Sequence, residues 1–266
     1  MSLTAPLART RRPRRPGQPR RAWRRAISPL ALLAVWQLAS TTGVLPREKL
    51  DSPLNVLDSL VGLWTDGRLL DAIQVSVTRV LVGFALGAVV GVGLAVVAGL
   101  SRLGEDVVDA PMQMLRTLPH FGLLPLFILW FGIDEAPKYA LIALGVAFPL
   151  YVNTFAGIRG VDPKYLDAAR AFGLTWTERL RHVVLPGALP STLVGLRLSL
   201  GVAWLTLIVA EQINTTAGIG YLVSDAAGFG RTGEVVAGLL IYSVLGLLTD
   251  ALVRILERKA LAWRLG

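Results

Sequence analysis

The 266-residue chain contains no cysteine. Disulfides, thiol nucleophiles and thiolate metal sites are therefore excluded. Histidine is nearly absent as well. His120 and His182 are the only two, and neither has a second ligand at metal spacing, so each reads as a packing or interfacial residue. There are four lysines, Lys49, Lys138, Lys164 and Lys259, and none follows a glycine. The GxxxxGK[ST] loop that cradles nucleotide phosphates is thus missing, and energy must come from a partner or an ion gradient. Paired acids, a metal set and an activated serine are not evident either, which argues against an enzyme. Charge is sparse: 17% of residues are Asp, Glu, Lys or Arg, against about 25% in an average soluble chain.

Long apolar runs fill the space that charge leaves. Ala26–Pro46, Val80–Ser101 and Tyr139–Ile158 are free of charge for 21, 22 and 20 residues, and about 20 suffice to cross the hydrocarbon core. Ala110–Ile133 holds only Arg116, Ser191–Ile213 only Arg197 and Glu211, and Val235–Val253 only Asp250. Six spans are expected, in an all-α polytopic membrane protein. The formal charge of +9 lies entirely in residues 1–25, which carry nine arginines and no acid. A basic tail of this kind can bind nucleic acid. Because it abuts the first span, the expected role is to hold the N-terminus in the cytoplasm, with lipid rather than nucleic acid as its neighbour. Its composition predicts disorder. A cleaved signal peptide is not expected, since the first apolar run is long and no small-x-small site follows it.

Six spans return the C-terminus to the cytoplasm. The basic residues then favour the inner side: Arg102, Arg159, Lys164, Arg170, Arg179 and Arg181 in loops and Arg254, Arg258, Lys259 and Arg264 in the tail, against Arg47, Lys49, Arg68, Lys138 and Arg231 outside. One polar island, residues 159–190, falls in the inner loop between the fourth and fifth spans. Its helix punctuation is legible. Asp162-Pro163 supplies an N-cap and a first-turn proline, and Gly173 can end the helix in the left-handed region. Thr175-Trp176-Thr177-Glu178 is a capping box, and Pro186 is expected to stop a second helix. Tyr165, Leu166, Ala169 and Phe172 form an apolar stripe at helical spacing. The small pair Ala168-Ala169 would let another surface approach the helix closely. A short amphipathic hairpin lying on the membrane is the alternative.

The island resembles a motif in the permease subunits of bacterial binding-protein-dependent ABC importers. Their cytoplasmic motif reads E-A-A, three residues, G, nine residues, I, one residue, L-P. Here Asp167-Ala168-Ala169, Gly173, Val183, Leu185 and Pro186 stand at the same spacing, with Asp for Glu and Val for Ile. Flanking stretches, among them "SVTRVLVGFALGAVVGVGLAVVAGLS" (76–101) and "LRTLPHFGLLPLFILWFGIDEAPK" (115–138), are similar to the nitrate/sulfonate/taurine branch. The resemblance implies a type I transmembrane domain over 72–256 with a cytoplasmic coupling loop at 159–190. A basic tail (1–25), a first transmembrane helix with an outer loop (26–71) and a short cytoplasmic tail (257–266) complete the chain. It also implies ATPase subunits that carry ATP and magnesium, an extracytoplasmic solute-binding protein, and a second permease, identical or similar. The location implied is the bacterial inner membrane, with no cofactor bound by this chain.

Other residues have weaker readings. Gly83, Gly87 and Gly91, four apart, suit close helix packing, either within one bundle or between permeases. Arg116, Arg197 and Glu211 lie in or beside spans, where a charge usually faces protein or water. All three are candidates for a solute pathway, where an arginine could draw an anion, or could simply snorkel. Gly218-Ile219-Gly220-Tyr221-Leu222 reads as an outer turn. The competing function is an ion-coupled secondary transporter, which needs an acid at the midplane and commonly shows inverted repeats.

Overall fold

The computed structural model describes residues 20–213 and 215–262, and it divides into two compact units, 1–53 and 54–266. Every regular element among the described residues is helical. In the first unit, α1 (Arg20–Thr41) begins inside the stretch expected to be a disordered tail; residues 1–19 of that stretch lie outside the described ones. Its apolar part, Ile27–Thr41, is shorter than a full span.

In the second unit, α2 (Pro53–Thr65) leads into α3 (Arg68–Leu100), α4 (Arg102–Thr117), α5 (Leu124–Phe131) and α6 (Ala136–Arg159). Then come α7 (Pro163–Ala171), α8 (Trp176–Arg179), α9 (Leu185–Gln212), α10 (Ile219–Gly228) and α11 (Thr232–Ala260). Among the described residues, four helices are long and apolar enough to cross a membrane: α3, α6, the continuous helix Trp176–Gln212, and α11. With the bent pair of α4 and His120–Phe131 counted as one span the number is five, against the six expected. The third expected span is broken: α4 and the segment His120–Phe131 meet at 92°. Pro119 is the cause. It lacks an N–H and forces Leu118 into extended backbone (φ −76°, ψ 134°), which no α-helix accommodates.

The core is a layer with α6 at its centre, packed along α3 on one side and α9 on the other. Half of α6's apolar window is buried against other helices, compared with 17% for α11, so α11 is peripheral. Small residues permit the close contact. A Cβ on Gly91 would stand 2.9 Å from Ala147 Cα, and one on Gly83 2.6 Å from Ile142 Cβ. Gly157 and Gly195 do the same between α6 and α9, where Ser191 and Ser199 donate to the Asn153 and Val146 carbonyls at 2.7 and 2.8 Å. In lipid such backbone approach and interhelical hydrogen bonding replace the hydrophobic effect as the source of helix association. Lateral packing thus fixes α3, α6 and α9 as one block, and both candidate sites sit at its ends.

Candidate functional site

At one end of the block, residues 160–187 form a hairpin. Asp162 caps α7 by accepting from the Lys164 N–H at 2.9 Å. The helix closes with Gly173 at φ +76°, where Leu174 N–H reaches the Ala169 carbonyl and Gly173 N–H that of Arg170. Glycine adopts that left-handed geometry without a Cβ clash. The capping box forms: Thr175 Oγ1 accepts from the Glu178 N–H, and Glu178 accepts from the Thr175 N–H at 2.8 Å.

Pro186 does not stop the second helix. Residues Leu180–Val184 take a π turn, Leu185 N–H reaches back to the Leu180 carbonyl, and Pro186 falls in the first turn of α9. Proline is tolerated there because a first-turn N–H needs no intrahelical acceptor. The hairpin's second arm is therefore continuous with the membrane helix as one 37-residue element.

The motif residues divide between two surfaces. Ala169, Val183 and Pro186 line a cavity of about 610 Å³ under α7. Asp167, Ala168, Gly173 and Leu185 face outward, with Asp167 bridged to Arg170 at 3.0 Å. The apolar stripe is largely uncovered: Phe172 is 83%, Tyr165 66% and the neighbouring Trp176 58% exposed.

The other end of the block holds a buried ionic knot that sequence reasoning missed. Arg79 donates to both oxygens of Glu135 at 2.6 Å, and through Nη1 to Glu211 at 2.8 Å and the Ala217 carbonyl at 2.6 Å. Glu211 also accepts from Ser76 Oγ (2.8 Å), the Gly220 N–H (2.8 Å) and Tyr242 OH (2.7 Å). Ser76 Oγ in turn accepts from the Ile219 N–H at 2.9 Å. The first amides of α10 are thus capped by side chains of α3 and α9, which is why Ile219–Gly228 is a helix where a turn is expected. Only Gly218, at φ +107°, fits the bend, since a Cβ there would strike the Glu211 carboxylate. Glu135, in the loop before α6, has its carboxyl held below the usual range, chiefly by the hydrogen bonds from Arg79, against the opposing effect of burial. Lys138 adds to this at 3.2 Å.

Glu211, a candidate for the solute pathway, lies inside this knot. It is fully buried and both oxygens are engaged, so it faces no pathway in this structure. Arg197 is bound to Asp250 at 2.6 Å, an acid it shares with Arg254, at an open groove between α9 and α11. Arg116 is exposed, 5.8 Å from the ring centre of Phe148. Gly83, Gly87 and Gly91 face α6 of the same chain. A faint signal for the knot was present. Arg79 stands immediately before the second charge-free run and Glu211 near the end of the fifth span, and lone opposite charges in such places commonly pair.

Residues 87–261 match the family model for the binding-protein-dependent transport system inner membrane component. SsuC of Bacillus subtilis (strain 168), a permease protein assigned to aliphatic sulfonates transport, is 45% identical over 252 residues, covering 94% of this chain and 91% of its own. TauC of Escherichia coli (strain K12), a taurine transport system permease protein, is 32% identical over 237 residues, with 87% and 86% covered. NrtB of Synechocystis sp., a nitrate import permease protein, is 32% identical over 244 residues, with 88% and 87% covered. Among solved structures, the inward-facing MetNI methionine ABC transporter aligns with a TM-score of 0.65 over 74% of this chain and 97% of that one. At 18% identity the likeness is one of fold.

Proposed function

Since the chain belongs to the inner-membrane components of binding-protein-dependent transport systems, we propose that it is the permease through which an ATP-driven importer moves a small oxyanion into the cytoplasm. Sulfonates, taurine and nitrate define the chemical class, after the names of its relatives. The chain is a multi-pass protein of the inner membrane. On our reading, separate ATPase subunits carry ATP and magnesium, a binding protein delivers the solute outside, and two permease copies enclose the pathway. Both termini lie in the cytoplasm, and the 160–187 hairpin seats on the ATPase.

The observation that carries this is the unbroken helix Trp176–Gln212. Its 37 residues extend about 55 Å at helical rise. One end is the exposed aromatic hairpin; the other bears Glu211, which ties α3, α10 and α11 together. A displacement applied at the hairpin therefore reaches the knot without passing through a flexible joint. The residues facing a docked partner are Asp167, Ala168, Gly173, Phe172 and Trp176, while Ala169, Val183 and Pro186 support them from below. An ion-coupled carrier is disfavoured, because Glu211 has no free oxygen to take up an ion.

The test is Gly173→Val in the reconstituted transporter. At φ +76° a β-branched side chain costs about 1–2 kcal/mol locally, and no neighbour lies within 4 Å of the new Cβ. Insertion and folding should persist, ATP should still be hydrolysed, and uptake should fall sharply. Undiminished uptake refutes the coupling role.

A further inference from the structure

The break in the third apolar stretch lies deep in the bundle. His120 Nε2 is 3.4 Å from Thr206 Oγ1, and the same imidazole approaches Gly145. Thr206 stands six residues before the end of α9, and Gly145 nine residues after the start of α6. At helical rise these positions are about 9 and 14 Å inside the helix ends, well within hydrocarbon depth. Irregular backbone at that depth is tolerated only where protein buries it or where it lines a water-filled cavity. Here it is not buried by its own chain: Leu118 is 45% and Phe121 38% exposed, and Pro119 and Gly122 are exposed too.

The side chains at the break carry only one sign of charge. No acid occurs anywhere in 110–133, while Arg116 stands just before the elbow and His120 within it. Of the two ring nitrogens of His120, Nε2 has a hydrogen-bond partner among the described residues and Nδ1 has none. Thr206, fully buried, fixes the ring from behind. The ring centre of Phe121 lies 4.0 Å from that of the imidazole.

From this geometry we infer that the Leu118–Gly122 elbow lines the aqueous pathway and that His120, with Arg116, contacts the passing oxyanion. His120 supplies a directional ring nitrogen and Arg116 the charge, and Thr206 is a positioning residue that orients the imidazole. The inference rests on the importer reading above and adds to it the place where the anion is met.

Because the chain has no cysteine, Leu118→Cys, at an elbow position 45% exposed, gives it a single thiol. In the complete transporter, that thiol should react with the anionic reagent 2-sulfonatoethyl methanethiosulfonate in at least one of the nucleotide-free and ATP-bound states. Ethanesulfonate at high concentration should slow the reaction. A thiol inert in both states, with wild-type import intact, means the elbow is covered by lipid or by the second copy, and overturns the inference. Vesicles with His120→Ala should hydrolyse ATP in response to loaded binding protein as wild type does, yet import about tenfold less ethanesulfonate per ATP, the loss of one directional contact. His120→Gln, which keeps an amide donor, should recover most of this, and Thr206→Ser should outperform Thr206→Val. Wild-type import in His120→Ala overturns the assignment. Wild-type vesicles that import none of ethanesulfonate, taurine or nitrate, while Leu118→Cys still reacts, overturn the substrate class and leave the water-lined elbow standing.

Discussion

Replacing Glu211 by alanine is the sharpest test of what holds together the end of the bundle remote from the hairpin. The carboxylate accepts from Arg79, Ser76, the Gly220 N–H and Tyr242 in a site without solvent. Removing one partner of a buried ion pair costs about 3–5 kcal/mol, because the other charge stays behind uncompensated. Arg79 keeps Glu135, which places the expectation near the low end of that range. Each neutral donor left without an acceptor adds about 1–3 kcal/mol before relaxation, and water entering the cavity offsets part of it. The expected loss is therefore at least about 3 kcal/mol, measured by equilibrium unfolding in mixed micelles. Glu211→Gln keeps the volume and one acceptor oxygen but turns an amide toward existing donors, so its loss should be smaller, about 1–3 kcal/mol. Hydrogen exchange should accelerate at residues 217–223 in both variants, since the amides of Ile219 and Gly220 depend on this cap directly or through Ser76. If Glu211→Ala unfolds within about 1 kcal/mol of wild type and exchange at α10 is unchanged, the knot is not what docks that helix.

Gly87→Val should lose about 1–3 kcal/mol in the same unfolding assay, since its Cβ would meet the Ala143 backbone. Gly93→Ala, on an open face with nothing within 4 Å, should lose nothing. For pH, Glu135 is the group to follow. Its folded pKa is depressed, so its contribution is complete above the ordinary carboxylate value and disappears as pH falls through the lower folded value. Stability should therefore decline on acidification below the usual carboxylate range, and Glu135→Gln should flatten that limb of the stability–pH curve.

Local signals in the sequence translated well. Asp162, Gly173 and the Thr175–Glu178 box act within three or four residues of themselves, and each forms the cap or turn its residue type requires. Signals that depend on distant neighbours did not. Arg79 and Glu211 are 132 residues apart, and no periodicity relates them. The N-terminus of α10 is capped from other helices, so the stretch after Gly218 looked like a turn. Prolines were ambiguous for a related reason. Pro119 breaks its span and Pro186 does not, and the difference lies in the backbone around each: extended at Leu118, but a π turn ahead of α9. The spacing from Asp167 to Pro186 picks out the hairpin but not its outward residues, since Ala169, Val183 and Pro186 belong to the same pattern and line the cavity beneath α7.

The π turn at Leu180–Val184 has one more effect. A turn that spans an extra residue offsets everything before it by about 100° around the helix axis, the angular step of one residue in a 3.6-residue turn. It therefore sets the compass bearing at which Phe172 and Trp176 emerge relative to the membrane faces of α9. A chain one residue shorter at this point could keep every cap and every motif residue and still turn its aromatic face about a quarter-turn away from its present bearing.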